Sequence, residues 1–322
     1  MRADDQLPPL AVVIPCWNAE RWIAHAIQSV LDQNYPNVEL IVIDDGSIDD
    51  SLQIIQSFDA PIRWQSGPNQ GQSAARNRGL DIAHADYVVF LDADDYLETE
   101  SLEAWARCAI ESDADIVFGP FAYERNGQRL LAPPPHLPIT SQNILCQWLE
   151  GWFTPPCSVL WRRSFIASIG GWNTMAIRNE DGELAIRALL HNPRIAMADR
   201  GLGIYVQHES PNRVSKRVGR SVIVSEFASL TGLWETAQAR GHQGVRASFA
   251  SAFYHMAYMA YAGGISGVGD KALCMARRLG LRGHIGSATH RALSTLFGLR
   301  AKLLLSGVIK GRIALRTRER RL

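Results

Sequence analysis

The chain is poor in cysteine and never spaces it for pairing. Its 322 residues hold five, Cys16, Cys108, Cys146, Cys157 and Cys274, an odd number with no C-x-x-C spacing. That argues against a disulfide framework or a cysteine-built zinc cluster and favours a reducing compartment. The N-terminal stretch, with Asp4, Asp5, Pro8 and Pro9, has no signal-peptide pattern, so a cytoplasmic setting is expected. No uninterrupted apolar run is long enough to span a bilayer. An excess of one charge is also missing, because 33 Lys and Arg meet 32 Asp and Glu. The balance hides an asymmetry: residues 270–322 carry thirteen basic residues against two acids. An acidic body with a basic tail suggests a tail that meets an anionic surface. With 47% hydrophobic residues, a chain of this length can bury a sizeable core.

What is present is an alternation of strand-like and helix-like patterns over the first 120 residues. Leu10–Pro15, Val38–Ile43 and Tyr87–Leu91 are short apolar runs that read as buried strands, and Asp115–Phe118 is a weaker fourth. Between the first two runs, Trp22, Ile23, Ala26, Ile27, Val30 and Leu31 recur at helical spacing, with Asn18 placed as the N-cap. Ser73–Ala83 and Leu102–Ile110 read as further helices. Such repetition implies a parallel sheet with right-handed crossovers, covered on both faces. Pro133-Pro134-Pro135 marks a loop. Ser141 then caps a helix through Leu149, Val159–Trp161 reads as a strand, Glu180–Leu190 as a helix and Gly201–Val206 as a strand. From about Ser221 the pattern becomes mostly helical, broken at Gly263-Gly264.

The chemistry gathers where the apolar runs end. Tyr87–Leu91 stops in Asp92, Asp94 and Asp95, and the second run stops in Asp44-Asp45-Gly46-Ser47. Carboxylates at the carboxyl ends of parallel strands face the crevice where such sheets bind ligands. Two acids spaced Asp-x-Asp can share a hard divalent cation. A plain acidic turn is the competing reading of each segment. The first run ends in Pro15-Cys16-Trp17-Asn18-Ala19-Glu20, without the G-x-G-x-x-G turn of dinucleotide folds.

In order, IPCWNAE, VIDDGS, NQGQSAARN and LDADD, followed by Gly170-Gly171-Trp172-Asn173, Asn179-Glu180-Asp181-Gly182-Glu183-Leu184 and Arg187, and then Gln207-His208, resemble the inverting glycosyltransferases of family 2. The resemblance covers roughly residues 10–215, and the closing His208, Asn212, Ser215 piece matches least well. It implies an α/β fold of the GT-A type, a Rossmann-like, mostly parallel sheet flanked by helices, over residues 1–220. A helical, basic region over 221–322, a candidate for membrane association, follows. It implies a UDP-sugar donor and a Mn²⁺ or Mg²⁺ ion. On this resemblance Asp44 and Asp45 contact the nucleotide, with Asp44 on the uracil. Pro15, Trp17 and Asn18 wall the base pocket, and Arg76 lies near the base or diphosphate. Asp92 and Ala93 face the ribose, Asp94 and His208 hold the metal, Asp181 is the catalytic base and Glu180 orients the acceptor.

The reaction so implied moves a hexose or N-acetylhexosamine, with inversion, to a hydroxyl of a glycan or lipid-linked acceptor in polysaccharide or oligosaccharide assembly. Trp148, Trp152, Phe153 and Trp161 read as core aromatics, although Trp152, near Pro155-Pro156, is placed to stack on an acceptor sugar. Residues 293–315 interleave leucines and isoleucines with Arg300, Lys302, Lys310 and Arg312, and Arg316–Arg321 follows. A basic amphipathic segment of this kind binds anionic membrane interfaces, or else packs on its own protein with a solvated basic face. Nucleic acid is not expected, since there is charge but no binding module. Two rivals remain: a sugar-nucleotide-binding scaffold, which has no need of Glu180-Asp181, and a sugar nucleotidyltransferase, which wants a Gly-rich basic loop after the first strand.

Overall fold

The computed structural model describes residues 7–208 and 219–303. In chain order the elements are β1 (Leu10–Cys16), α1 (Ile23–Leu31), β2 (Val38–Asp44), α2 (Ser51–Gln56), β3 (Ile62–Ser66), α3 (Gln72–Ile82), β4 (Tyr87–Phe90), β5 (Tyr96–Leu97), α4 (Ser101–Ser112), β6 (Ile116–Phe118), β7 (Phe121–Arg125), β8 (Gln128–Leu131), α5 (Ser141–Leu149), β9 (Val159–Arg162), α6 (Arg163–Ser168), α7 (Glu180–Leu189), β10 (Ile195–Met197), β11 (Gly203–Val206), α8 (Arg220–Ala239), α9 (Arg246–Ala262), α10 (Ser266–Arg278) and α11 (Ala288–Phe297). The described chain divides into two compact units. Within the described residues, one comprises 7–144, 152–175 and 180–208, and the other 145–151, 176–179 and 219–303.

The first unit is built on a seven-stranded sheet in the order β10-β6-β9-β4-β1-β2-β3. All its strands run parallel except β9, which is antiparallel to both β4 and β6. The central strands β1 and β4 are buried at every position, as a strand covered on both faces must be. On one face Ile23, Ala26, Ile27 and Val30 of α1 and Trp105 of α4 join Leu10, Val12, Ile14 and Val89 in one core. On the other, α3 lies close to β1: a Cβ on Gly79 would stand 2.2 Å from Val13 Cγ1, so only glycine fits there. A second sheet, in the order β5-β11-β7-β8, sits in the same unit.

Several local expectations change. Asn18 does not cap α1. The helix starts at Ile23 with Trp22 in the cap position, while Asn18 has a φ of 51° and bonds to another loop. Ser141 is the first residue of α5, not its cap: its hydroxyl donates to Pro193 O at 2.6 Å, and Thr140 Oγ1 accepts from Asn143 N. Asp115 lies just outside β6, with its carboxylate engaged by Arg162 and Arg194.

The second unit is helical over its described C-terminal part. Edge-on ring contacts join α8 to α9, with Trp234 at 5.2 Å from Phe249 and Phe227 at 6.2 Å from Phe253. Gly263-Gly264 separates α9 from α10, as the sequence suggests. Arg178 forks onto both oxygens of Glu226 at 2.7 and 2.8 Å. Among the described residues no helix is long and apolar enough to cross a membrane. Asn212, Ser215 and the tail beyond Leu303, with Lys310, Arg312 and Arg316–Arg321, lie outside the described residues.

Candidate active site

Three neighbouring strands deliver the candidate residues to one edge. In register, Cys16 of β1 lies opposite Asp44 of β2, and Val13 opposite Phe90 of β4. Beyond the ladder, Asp45 N donates to Cys16 O at 2.8 Å and Leu91 N to Val13 O at 3.0 Å. Pro15, Asp44 and Asp92 therefore leave the sheet side by side, at the carboxyl ends where open α/β sheets bind ligands.

The loops after β1 and β2 are laced together. Asn18 N donates to Ser47 Oγ and Asn18 Oδ1 accepts from Ile48 N, at 3.0 and 2.9 Å. Ala19 N donates to Ser51 Oγ at 2.8 Å. Asp44 accepts from Ser47 N through one oxygen and from the Ser66 hydroxyl through the other, at 3.1 and 2.6 Å. Asp45, 2% exposed, accepts from Gln70 N, Gly71 N and Arg78 Nη2. Its carboxylate thus fixes the entry to α3, where anions are favoured by the helix N-terminus. Trp17 stands 43% exposed beside this pair, and Pro15 is buried. The buried Cys16 thiol is pushed up to about 12 by loss of solvent, so it stays protonated.

The cluster after β4 is different. Ligand oxygens of Asp92, Asp94 and Asp95 lie within 4.8 Å of one another. Asp95, 2% exposed, accepts from Val206 N at 2.9 Å and so anchors β11. Asp94 Oδ2 meets His208 Nε2 at 2.7 Å, and the His208 ring stacks on Trp22 with centroids 4.4 Å apart. Asp92 Oδ1 accepts from Gln72 Nε2 at 2.9 Å and pairs with Arg76 Nη2. Ala93 is buried between them in sequence. Arg76 is only 2% exposed and lies over the Trp172 ring, 4.1 Å from its centroid. Its Nε has no hydrogen-bond partner among the described residues.

Glu180 and Asp181 open α7 and share the field of this cluster. Both carboxyls are raised above the ordinary carboxylate range, chiefly because they are desolvated. Arg76 pulls both back down, and Asp92 pushes both up. A desolvated carboxyl raised in this way is a better proton acceptor than a solvated one. Two unassigned residues hold this corner. Asn77 grips the Trp172 backbone twice, donating to its carbonyl at 2.9 Å and accepting from its N–H at 2.8 Å. Arg187 pairs with Glu183 and donates to Ile169 O and Gly171 O at 2.5 and 2.7 Å. Both lie inside sequence motifs already noted, but motif position alone does not reveal a role in holding a tryptophan over an arginine.

Comparison with known proteins agrees with this geometry. Residues 11–169 match the profile of Glycosyl transferase family 2, and the chain carries a domain of that family. An uncharacterized glycosyltransferase of Haemophilus influenzae is 38% identical over 121 residues, which span 36% of this chain and 48% of that protein. Glycosyltransferase GlyA of Streptococcus pneumoniae is 36% identical over 122 residues, 37% of this chain and 17% of its own length. EpsJ of Bacillus subtilis, an uncharacterized glycosyltransferase, is 28% identical over 222 residues, 65% and 64% of the two chains. The chain thus spans from about a sixth to under two thirds of these relatives. Among solved structures, S. aureus TarS 1-349 in complex with UDP-GlcNAc superposes with a TM-score of 0.61 at 17% identity, over 84% of this chain and 92% of that one. The same TarS segment with UDP gives 0.55 at 19% identity, over 87% and 94%. At those identities the likeness establishes the fold, a mixed α/β GT-A-like architecture.

Proposed function

We propose that this protein is an inverting glycosyltransferase that moves a hexose or N-acetylhexosamine from a UDP-sugar to a hydroxyl of a glycan or lipid-linked acceptor. The observation that carries the reading is the convergence of Asp92, Arg76, Glu180 and Asp181 in one electrostatic field at the sheet's carboxyl edge. Asp181 takes the proton from the acceptor hydroxyl as its oxygen attacks the anomeric carbon. One displacement inverts that carbon, so one base suffices. Glu180 orients the acceptor. Asp44 and the Pro15–Asn18 wall hold the uridine, with the buried Asp45 bracing the loop behind them and Asp92 and Ala93 at the ribose. The buried Arg76, with a donor unmatched among the described residues, fits an anionic diphosphate beside Asp92.

The donor set of Asp94 and His208, backed by Asp92, suits a hard divalent cation, and the imidazole favours Mn²⁺ over Mg²⁺. Such an ion supplies charge neutralisation to the departing diphosphate. UDP-GlcNAc bound to TarS supports a uridine donor in this fold. The setting we propose is polysaccharide or lipid-linked oligosaccharide assembly at the cytoplasmic membrane face. It is supported by α11 and the residues that follow it, where the exposed Leu296 and Phe297 are flanked in sequence by Arg291, Arg300 and Lys302. Liposome binding unchanged by removal of the last thirty residues would speak against that setting.

The decisive assay is UDP release from a panel of nucleotide sugars, with Mn²⁺ and with EDTA. Metal-dependent release from one UDP-sugar, lost in Asp181→Asn, is expected. Failure of UDP to bind in the presence of metal would sink the reading.

A further inference from the structure

The small sheet β5-β11-β7-β8 is two-faced. Tyr96, Ala122 and Ile204 form a buried cluster on one side. Side chains alternate along strands, so Phe121 and Tyr123 of β7 and Tyr205 of β11 face the other way. Register places Tyr205 directly opposite Tyr123, with ring centroids 6.0 Å apart at 64°. Phe153 completes the group, at 5.7 Å from Phe121, 6.2 Å from Tyr123 and 6.4 Å from Tyr205. Phe121 is buried beneath, while Tyr123, Phe153 and Tyr205 are only half-buried. Trp152, the tryptophan that sequence places for stacking, goes elsewhere: its ring meets Phe118 at 6.0 Å and its indole N–H donates to Pro133 O.

The strand that carries Tyr205 reaches the proposed site through its backbone. Val206, next to Tyr205, donates to Asp95, and His208, three residues on, meets Asp94. From the other side, Phe153 leads into the turn Pro156–Ser158, where the fully buried Cys157 thiol feels Asp95 and Asp92. Strand and turn are pressed together at Gly203, where a Cβ would fall 2.0 Å from Ser158 Oγ and 2.7 Å from Cys157 O. The face is therefore held by the same backbone that positions the aspartates.

We infer that Tyr123, Phe153 and Tyr205 form an acceptor subsite that stacks a pyranose ring of the glycan. The inference rests on the glycosyl-transfer reading above. A pyranose has an apolar C–H face and a hydroxyl rim. The electron-rich ring faces attract the C–H hydrogens, and the two phenolic hydroxyls offer partners to the rim.

The test is saturation-transfer NMR on the full chain with Mg²⁺, UDP and, as probes, the methyl β-glycosides of glucose, galactose and N-acetylglucosamine. Irradiation of aromatic protons in the unsubstituted protein is expected to reach the ring C–H protons of at least one glycoside. Tyr123→Leu and Phe153→Leu should each weaken its binding roughly fivefold, the scale of one aromatic pairing, while Tyr123→Phe, which keeps the ring and loses only the hydroxyl, should weaken it less. No glycoside signal from aromatic irradiation, or undiminished binding in both leucine variants, would overturn the subsite. Loss of the UDP signal in the unsubstituted protein would instead remove the donor reading, so the two failures are distinct.

Discussion

The turns after β2 and after β4 look alike in sequence, an apolar strand ending in clustered aspartates, yet they bond differently. Asp45 accepts from two backbone N–H groups and Arg78, and both oxygens of Asp44 accept from serines in neighbouring turns. After β4 only Asp95 is spent on backbone, at Val206, while Asp92 and Asp94 meet side chains: Arg76 and Gln72 for one, His208 for the other. The lesson is that a strand-end carboxylate becomes reactive or structural according to which donors the next loop brings. Backbone donors fix it in place, whereas side-chain donors leave it able to exchange partners when ligand arrives.

The comparison can be broken most severely at the base that faces the second cluster. Asp181→Asn should lower transfer by about a thousandfold with UDP binding intact, the scale of lost general-base catalysis. Steady-state kinetics beside UDP titration checks this. Asp94→Ala should cost on the order of a hundredfold and remove the metal response, measured as UDP release against Mn²⁺ concentration. Asp45→Ala should act on the fold instead, costing about 2–4 kcal/mol in urea unfolding, because buried charge-assisted bonds are lost and Arg78 is left unpaired. A stable Asp45→Ala protein that had lost only UDP binding would erase the distinction between the two turns.

Smaller effects sharpen it. Since burial raises the Asp181 carboxyl, the acid limb of kcat/KM should lie above the ordinary aspartate value of about 4. Arg76 favours the ionised form, so Arg76→Gln should move that limb to higher pH, read from a pH–rate profile. The same burial costs stability progressively as pH rises from the unfolded-state pKa to the raised folded value, and the full penalty persists above it. Below the unfolded-state pKa both states are protonated and the penalty vanishes. Asp181→Asn should therefore raise Tm slightly at neutral pH and leave it unchanged in acid, by calorimetry at both pH values.

Much of the main sheet was legible because its central strands are covered on both faces and read as unbroken apolar runs. Leu10–Cys16, Val38–Asp44 and Tyr87–Phe90 are of that kind. The edge strand β3 was missed since Arg63, Trp64, Gln65 and Ser66 are all exposed, leaving no apolar signal. The small sheet was mostly missed too: β5 has two residues and β8 is exposed throughout. The direction of β9 was not legible either, because a strand's neighbours, not its own residues, decide it. In the site, motif spacing brought Asp92, Asp94 and His208 forward; in the structure His208 meets Asp94, and the Asp92 and Asp94 carboxylates lie within 4.8 Å of each other. It could not show that Asn18 spends its side chain on Ile48 rather than on a helix, because that bond joins two loops thirty residues apart. The roles of Asn77 and Arg187 depend on where Trp172 lies, which only the folded chain defines.

The antiparallel β9 has one further consequence. The chain leaves the sheet after Phe118 and rejoins it at Val159, and these two residues are paired neighbours in register. Residues 119–158, including β7, β8 and Phe153, are thus a detour that departs from and returns to adjacent rungs of one ladder. Its length and content can change without shifting the register of a strand that carries Asp44 or Asp92. Such a detour is an exchangeable cassette. Across relatives that keep the Asp92–Asp95 edge, insertions, deletions and new specificities are expected to accumulate between those two rungs.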